Sequence, residues 1–186
     1  MAVNNRSTGT QPRAQPRLLV AGVAGGVGTT TVATAIGATD RGVFTGRAVD
    51  VLVCRATGDS LLRAARAAHL ITTTGHRPVL AVTAADASGP SRPVTARLRL
   101  LEPHAAAVVV LPFVRRWREL AVPLDEVRGL LTRPVTELPR PLRRYATALR
   151  DLRAATGRAG PVPTSPGPRR AAPAPLTERT APQCAR

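Results

Sequence analysis

Four apolar runs recur along the chain, each too short and too evenly apolar for an amphipathic helix. Residues 17–23 hold the first, with Leu18, Leu19, Val20 and Ala21. Residues 48–55 (AVDVLVCR), 77–84 (RPVLAVTA) and 105–114 (AAAVVVLPFV) are the others. Continuous runs rich in valine predict strands buried on both faces. Stretches of helical spacing lie between them. A first helix is expected over about residues 30–39, ended by the turn signal Asp40-Arg41-Gly42. After Gly58, Asp59 or Ser60 is expected to N-cap a helix with Leu61, Leu62, Ala65, Ala68 and His69 on its apolar face. A short helix is expected around residues 94–101. Residues 115–120 and 124–131 are expected to be helical, separated by Pro123. Pro134, Pro139 and Pro141 then space out a connector. Residues 141–156 form a final helix with the stripe Leu142, Tyr145, Ala146, Leu149 and Leu152. Strands alternating with helices predict a small three-layer α/β domain, with a parallel sheet of about four strands joined by right-handed crossovers. That domain spans residues 17–156. The polar leader 1–16 and the Pro/Arg-rich tail 157–186 carry no apolar periodicity and are expected to be disordered.

The turn after the first run carries the most specific chemistry. Glycines stand at 22, 25, 26 and 28, followed by Thr29, Thr30 and Thr31 and then Val32, Ala33, Ala35 and Ile36. Strand, glycine turn, hydroxyls and helix, in that order, build an anion site. Glycines let backbone N–H groups converge, and the new helix aims its positive end at the bound group. A complete phosphate loop, GxxxxGK[ST], adds a lysine for the β/γ-phosphates and a hydroxyl for Mg²⁺. Here Thr29 occupies the lysine position. A GxGxxG dinucleotide fingerprint fails, because its last position falls on Thr31.

At these residues the chain resembles the MinD/ParA-like P-loop ATPases, whose loop reads GKGGVGKTT. Gly25, Gly26, Val27, Gly28, Thr30 and Thr31 match that loop, while Ala24 and Thr29 replace its two lysines. The CpaE/TadZ-like and septum-site branches, some of which also lack the lysine, look closer still. The resemblance implies ATP or ADP with Mg²⁺ as ligand, bound by residues 25–31 including Thr29. It makes Thr30 the Mg²⁺ ligand and sets Thr31 beside the α-phosphate. Later segments are similar too. The strand at 48–55 is followed by a serine-started helix, and Pro112 matches the proline whose neighbouring backbone contacts the base. No asparagine follows the strand at 77–84, no DxxG-type stretch is present, and only about ten residues separate the first helix from Asp50. The resemblance therefore covers residues 17–156 as a truncated, degenerate version. It implies weak or no nucleotide binding and a regulatory or scaffolding role in partition, septum placement or secretion-type machinery, and it leaves a homodimer open. If the chain were active, the reaction would be ATP hydrolysis.

Charge adds a rival reading. Net charge is +16, and all 27 basic residues are arginine. No distant lysine can replace the missing one, so any substitute is an arginine. Arg55, at the carboxyl end of its strand, stands at the sheet edge where ligands bind, against the plainer reading of a surface residue. A balance this basic also favours polyanions. The alternative is therefore a basic binding module for nucleic acid or an acidic protein, built on the same fold and using no nucleotide. The cluster Arg115-Arg116-Trp117-Arg118 fits such a role, although a tryptophan packed on the sheet is the favoured reading.

Other chemistries find no support. His69, His76 and His104 have no ligand spacing, Cys54 and Cys184 imply no disulfide framework, and Ser60, Ser88 and Ser91 lack a nucleophile elbow. Asp50 begins its strand, opposite the loop, and is expected to be structural. Asp86 follows the third strand and is a weak Mg²⁺-side candidate. The uncharged run 18–39 resembles a membrane span in length only. Five glycines and five threonines dilute it, so no transmembrane segment and a cytoplasmic location are expected.

Overall fold

The four apolar runs are strands, and a fifth strand joins them at an edge. The computed structural model describes residues 17–158. The expected leader lies outside those residues, as does the expected tail beyond Arg158. Strand β1 is Leu19–Gly22, β2 is Thr39–Val43, β3 is Val51–Arg55, β4 is Val79–Thr83 and β5 is Ala107–Leu111. All pair in parallel, in the order β2-β1-β3-β4-β5. Helices are α1 (Thr29–Ile36), α2 (Gly58–Thr72), α3 (Arg92–Leu101), α4 (Pro123–Val127) and α5 (Arg140–Arg158). Contacts group α1 with α4 and α5, and α2 with α3, while α5 packs on β4 and β5 and α2 on β3. Two groups of helices around one sheet make the three-layer α/β class expected. Covered on both faces, Val51 to Cys54 and Val79 to Val82 are all buried, which is why these strands read as unbroken apolar runs. None of the helices among the described residues is long and apolar enough to cross a membrane.

Strand β2 corrects the expected count. Its residues Asp40, Arg41 and Gly42 read as turn punctuation, yet they pair with β1. Thr39 N–H donates to Leu18 O at 2.8 Å and Phe44 N–H to Gly22 O at 2.7 Å, with one extra residue on β2 between those pairs. Main-chain bonds pair this edge strand with β1, so the pairing needs no apolar side chains, and its charges blunt the open edge.

Three helices also depart from expectation. α1 stops at Ile36, where Ala38 N–H turns back to Ala33 O at 2.9 Å. In α2, Thr57 is the N-cap, and the core-facing set is Leu61, Ala64, Ala68 and Ile71. Leu62 and His69 face outward instead. Both stripes contain leucine and alanine, so spacing alone did not choose between them. The segment 115–131 is mostly turns, with a 3-10 turn at Arg115–Arg118 and only the five residues of α4 as α-helix. The stripe of α5 is buried as expected, and the helix runs to Arg158.

Asp50 has the structural role expected of it. Its Oδ2 accepts the Leu19 N–H at 2.7 Å, and Oδ1 lies 3.9 Å from His76 Nε2, both at the amino end of the strands. Asp50→Ala leaves that N–H without its acceptor. The variant is expected to lose about 1–3 kcal/mol of stability, read as a lower urea midpoint at unchanged slope. Asp50→Asn, which still presents an acceptor, should lose less.

Candidate functional site

The strand order sets where a ligand site can form. From β1 the chain moves outward to β2, whereas β3, β4 and β5 extend the other way, so the order reverses between β1 and β3. In open parallel sheets the crevice at that reversal, beyond the carboxyl ends of the strands, is the usual ligand site. The glycine turn leaves β1 at this place, and Arg55 ends β3 beside it.

The turn is held in one shape by contacts on both sides. Gly26 (φ 72°) and Gly28 (φ 95°) sit in the left-handed region, which side chains disfavour. Val27 between them is buried, and its carbonyl accepts Thr83 Oγ1 at 2.9 Å. The same hydroxyl lies 3.2 Å from Cys54 O, so β4 ties the turn to β3. Val23 N–H donates to Val53 O at 2.9 Å. The turn folds back over Gly22 so closely that a β-carbon there would overlap Thr29 Oγ1 and lie 2.7 Å from Val27 Cγ2. Gly28 is the N-cap of α1 and offers no side chain, leaving the first-turn N–H groups of Thr29, Thr30 and Thr31 without an intrahelical partner.

The predicted residues divide into four places. Val27, Gly28, Thr31 and Pro112 line a cleft of about 230 Å³ between the turn and the end of β5, together with Arg55, Phe113, Trp117 and Arg118. Gly25 and Gly26 form the exposed crest of the turn. Thr29, at the lysine position, turns its hydroxyl back toward Gly22. Thr30 lies outside the cleft lining, and its hydroxyl donates to Asp40 Oδ2 at 2.7 Å. Asp40 Oδ1 in turn accepts Gly42 N–H at 2.7 Å. The sequence reading missed Asp40, because a polar Asp-Arg-Gly run is equally a turn. An acidic residue ten positions after the helix-opening hydroxyl was the available signal.

Of the other candidates, Asp86 falls outside this group, while Trp117 and Arg118 belong to the cleft wall. Asp86 is exposed and caps a local turn by accepting Ser88 N–H at 2.8 Å, while Ala84 and Ala85 line the cleft in its place. Trp117 packs edge-on against Tyr145, with ring centres 4.6 Å apart, and donates Nε1–H to Glu126 at 2.8 Å. Arg116 pairs with the same Glu126 at 2.9 Å, and Arg118 lies 4.7 Å over the Phe113 ring. His69 and His104, unrelated by spacing, meet edge to face at 5.7 Å. Among the described residues no group of three His, Cys, Asp or Glu side chains is placed to hold a metal ion.

Comparison with family models, curated proteins and solved structures found no match to this chain.

Burial decides the state of two groups beneath the site. It pushes the Cys54 thiol up to about 12 and raises the Tyr145 hydroxyl as well, so both are neutral and neither is a nucleophile at neutral pH. A raised acid stabilises the fold fully below its unfolded pKa, and that contribution is lost as pH rises toward the folded value. Stability from denaturant titrations is therefore expected to decline above about pH 8.5, where an unfolded thiol ionises. In Cys54→Ala the decline should begin nearer the tyrosine range, about pH 10.

Proposed function

We propose that this chain is a degenerate MinD/ParA-like P-loop protein that binds Mg·ADP or Mg·ATP weakly and turns over little or none of it. Its role is then regulatory or scaffolding, in partition, septum placement or secretion-type machinery. The observation that carries this reading is the turn itself. Two left-handed glycines feed the open N-terminus of α1 at the point where the strand order reverses. Such a turn presents main-chain donors to an anion without needing any side-chain charge.

The residues present fit part of a Mg²⁺–nucleotide site. Backbone N–H groups of Gly28 to Thr31 would take a phosphate group. The Thr30 hydroxyl keeps lone pairs free while it donates to Asp40, so the two together would hold Mg²⁺. The apolar side of the cleft, at Pro112 and Phe113, would take the base. Bound Mg²⁺ would supply charge neutralisation at the phosphates. Hydrolysis needs that neutralisation completed around the transferring phosphoryl group, and Thr29 offers a hydroxyl where an ammonium would stand.

A second reading, the basic binding module, has one observation in its favour. Arg140 and Arg144 lie one turn apart on α5, both exposed and without an ion pair among the described residues. Phosphate backbones are recognised by such side chains, with a steep dependence on salt.

Calorimetry of the full chain with Mg·ADP separates the two. A charge-assisted contact is worth roughly 1.5–3 kcal/mol, so binding about ten- to a hundredfold weaker than at a lysine-bearing loop is expected. Gly28→Val should abolish it, because a β-branched residue does not adopt φ 95°. Thr30→Val should remove the Mg²⁺ dependence. Tight binding with steady phosphate release overturns the degenerate reading. No binding, together with salt-sensitive capture of duplex DNA, transfers the conclusion to the basic module.

A further inference from the structure

We propose that Arg55 supplies part of the positive charge that the phosphate loop lacks, reaching the terminal phosphate of a nucleoside di- or triphosphate from the neighbouring strand. The inference rests on the phosphate-loop reading above and names the residue that gives the site its selectivity for phosphate groups.

Position is the first ground. Gly22 at the end of β1 is in register with Val53, so Arg55 stands two residues further along β3, level with the turn. Its backbone is fixed there. Arg55 N–H donates to Ser60 Oγ at 2.8 Å, and the next N–H, of Ala56, donates to Thr83 O at 2.9 Å. A cation carried on a rigid strand end loses little freedom when it meets a ligand.

The side chain is the second ground. Arg55 Nη2 donates to Gly26 O at 2.6 Å, which lays the guanidinium against the crest of the turn, while the residue also lines the cleft beside Gly28 and Thr31. Nε and Nη1 have no hydrogen-bond partner, and the guanidinium no carboxylate partner, among the described residues. Among the described residues, then, no acidic side chain offsets the charge at the turn. Guanidinium has five donors in a planar fork, so it can keep Gly26 O and still offer two N–H groups to phosphate oxygens.

Competition within the chain is the third ground. There is no lysine anywhere in the sequence. The other cation lining the cleft, Arg118, lies over Phe113 on the β5 side. Among the described residues, Arg55 is the cation that hydrogen-bonds to the turn.

Substitution by glutamine tests this directly, since Arg55→Gln can still donate to Gly26 O but carries no charge. Calorimetry of the full chain is run with Mg·ADP, AMP and adenosine, on wild type, Arg55→Gln and Arg55→Lys. The glutamine variant is expected to weaken Mg·ADP by about tenfold or more, AMP by less, and adenosine hardly at all. Arg55→Lys should recover most of the loss, and the melting temperature of the ligand-free protein should be the same in all three. The proposal is overturned if Arg55→Gln binds Mg·ADP within about twofold of wild type. It is also overturned if that variant loses all three ligands equally with a lowered melting temperature, because Arg55 is then only a latch on the turn. Wild-type protein that binds none of the three overturns the phosphate-loop reading itself, and this inference with it.

Discussion

The backbone reversal between Gly22 and Thr29 is the constraint on which the carboxyl edge of this sheet depends. Six residues must leave a buried strand, turn through two left-handed glycines and begin a helix, all without lifting away from β3 and β4. The Thr83 hydroxyl makes that feasible by donating to Val27 O while lying against Cys54 O. Val27 fills the space under the turn, and Gly22 leaves room for Thr29 and Val27 to close over it. Because these contacts are internal, the main-chain donors at the start of α1 are left without an intrahelical partner. A site of this kind depends on backbone geometry first and on side-chain charge second.

Charge is distributed unusually around that geometry. The loop carries none of its own, and its three threonines provide hydroxyls where a lysine would provide an ammonium. Arginine reaches the turn from the neighbouring strand instead, and an acidic group arrives from the edge strand to pair with Thr30. Cation and carboxylate thus come from either side of β1, through β3 and β2 respectively. The arrangement joins three adjacent parallel strands. Arg55 stands at the carboxyl end of β3, where doubly wound sheets gather functional groups, whereas Asp40 is level with Val20, nearer the start of its strand.

How much of this was legible in the chain varies with the range of the interaction. The turn could be read because a left-handed backbone is a local demand that glycine meets, and Gly26 and Gly28 mark it. The central strands could be read because burial on both faces permits only apolar residues, as in residues 51–54 and 79–82. The stripe on α5 was legible for the same reason, since Leu142, Tyr145, Ala146, Leu149 and Leu152 recur at helical spacing and no competing stripe exists. Strand β2 was illegible, because an edge strand paired only through its main chain places little demand on side-chain type.

The sequence by itself determined the alternation of strands and helices, the α/β class, and the glycine turn that opens α1. All three follow from patterns within a few residues, namely burial, period and backbone handedness. Only the tertiary structure decided which face of α2 meets the sheet, that Asp40 reaches Thr30, and that Arg55 lies on Gly26. The last two partners stand 10 and 29 positions apart in the chain. They meet because β2 and β3 flank β1 on opposite sides, and that adjacency is a property of strand order, which no local pattern encodes.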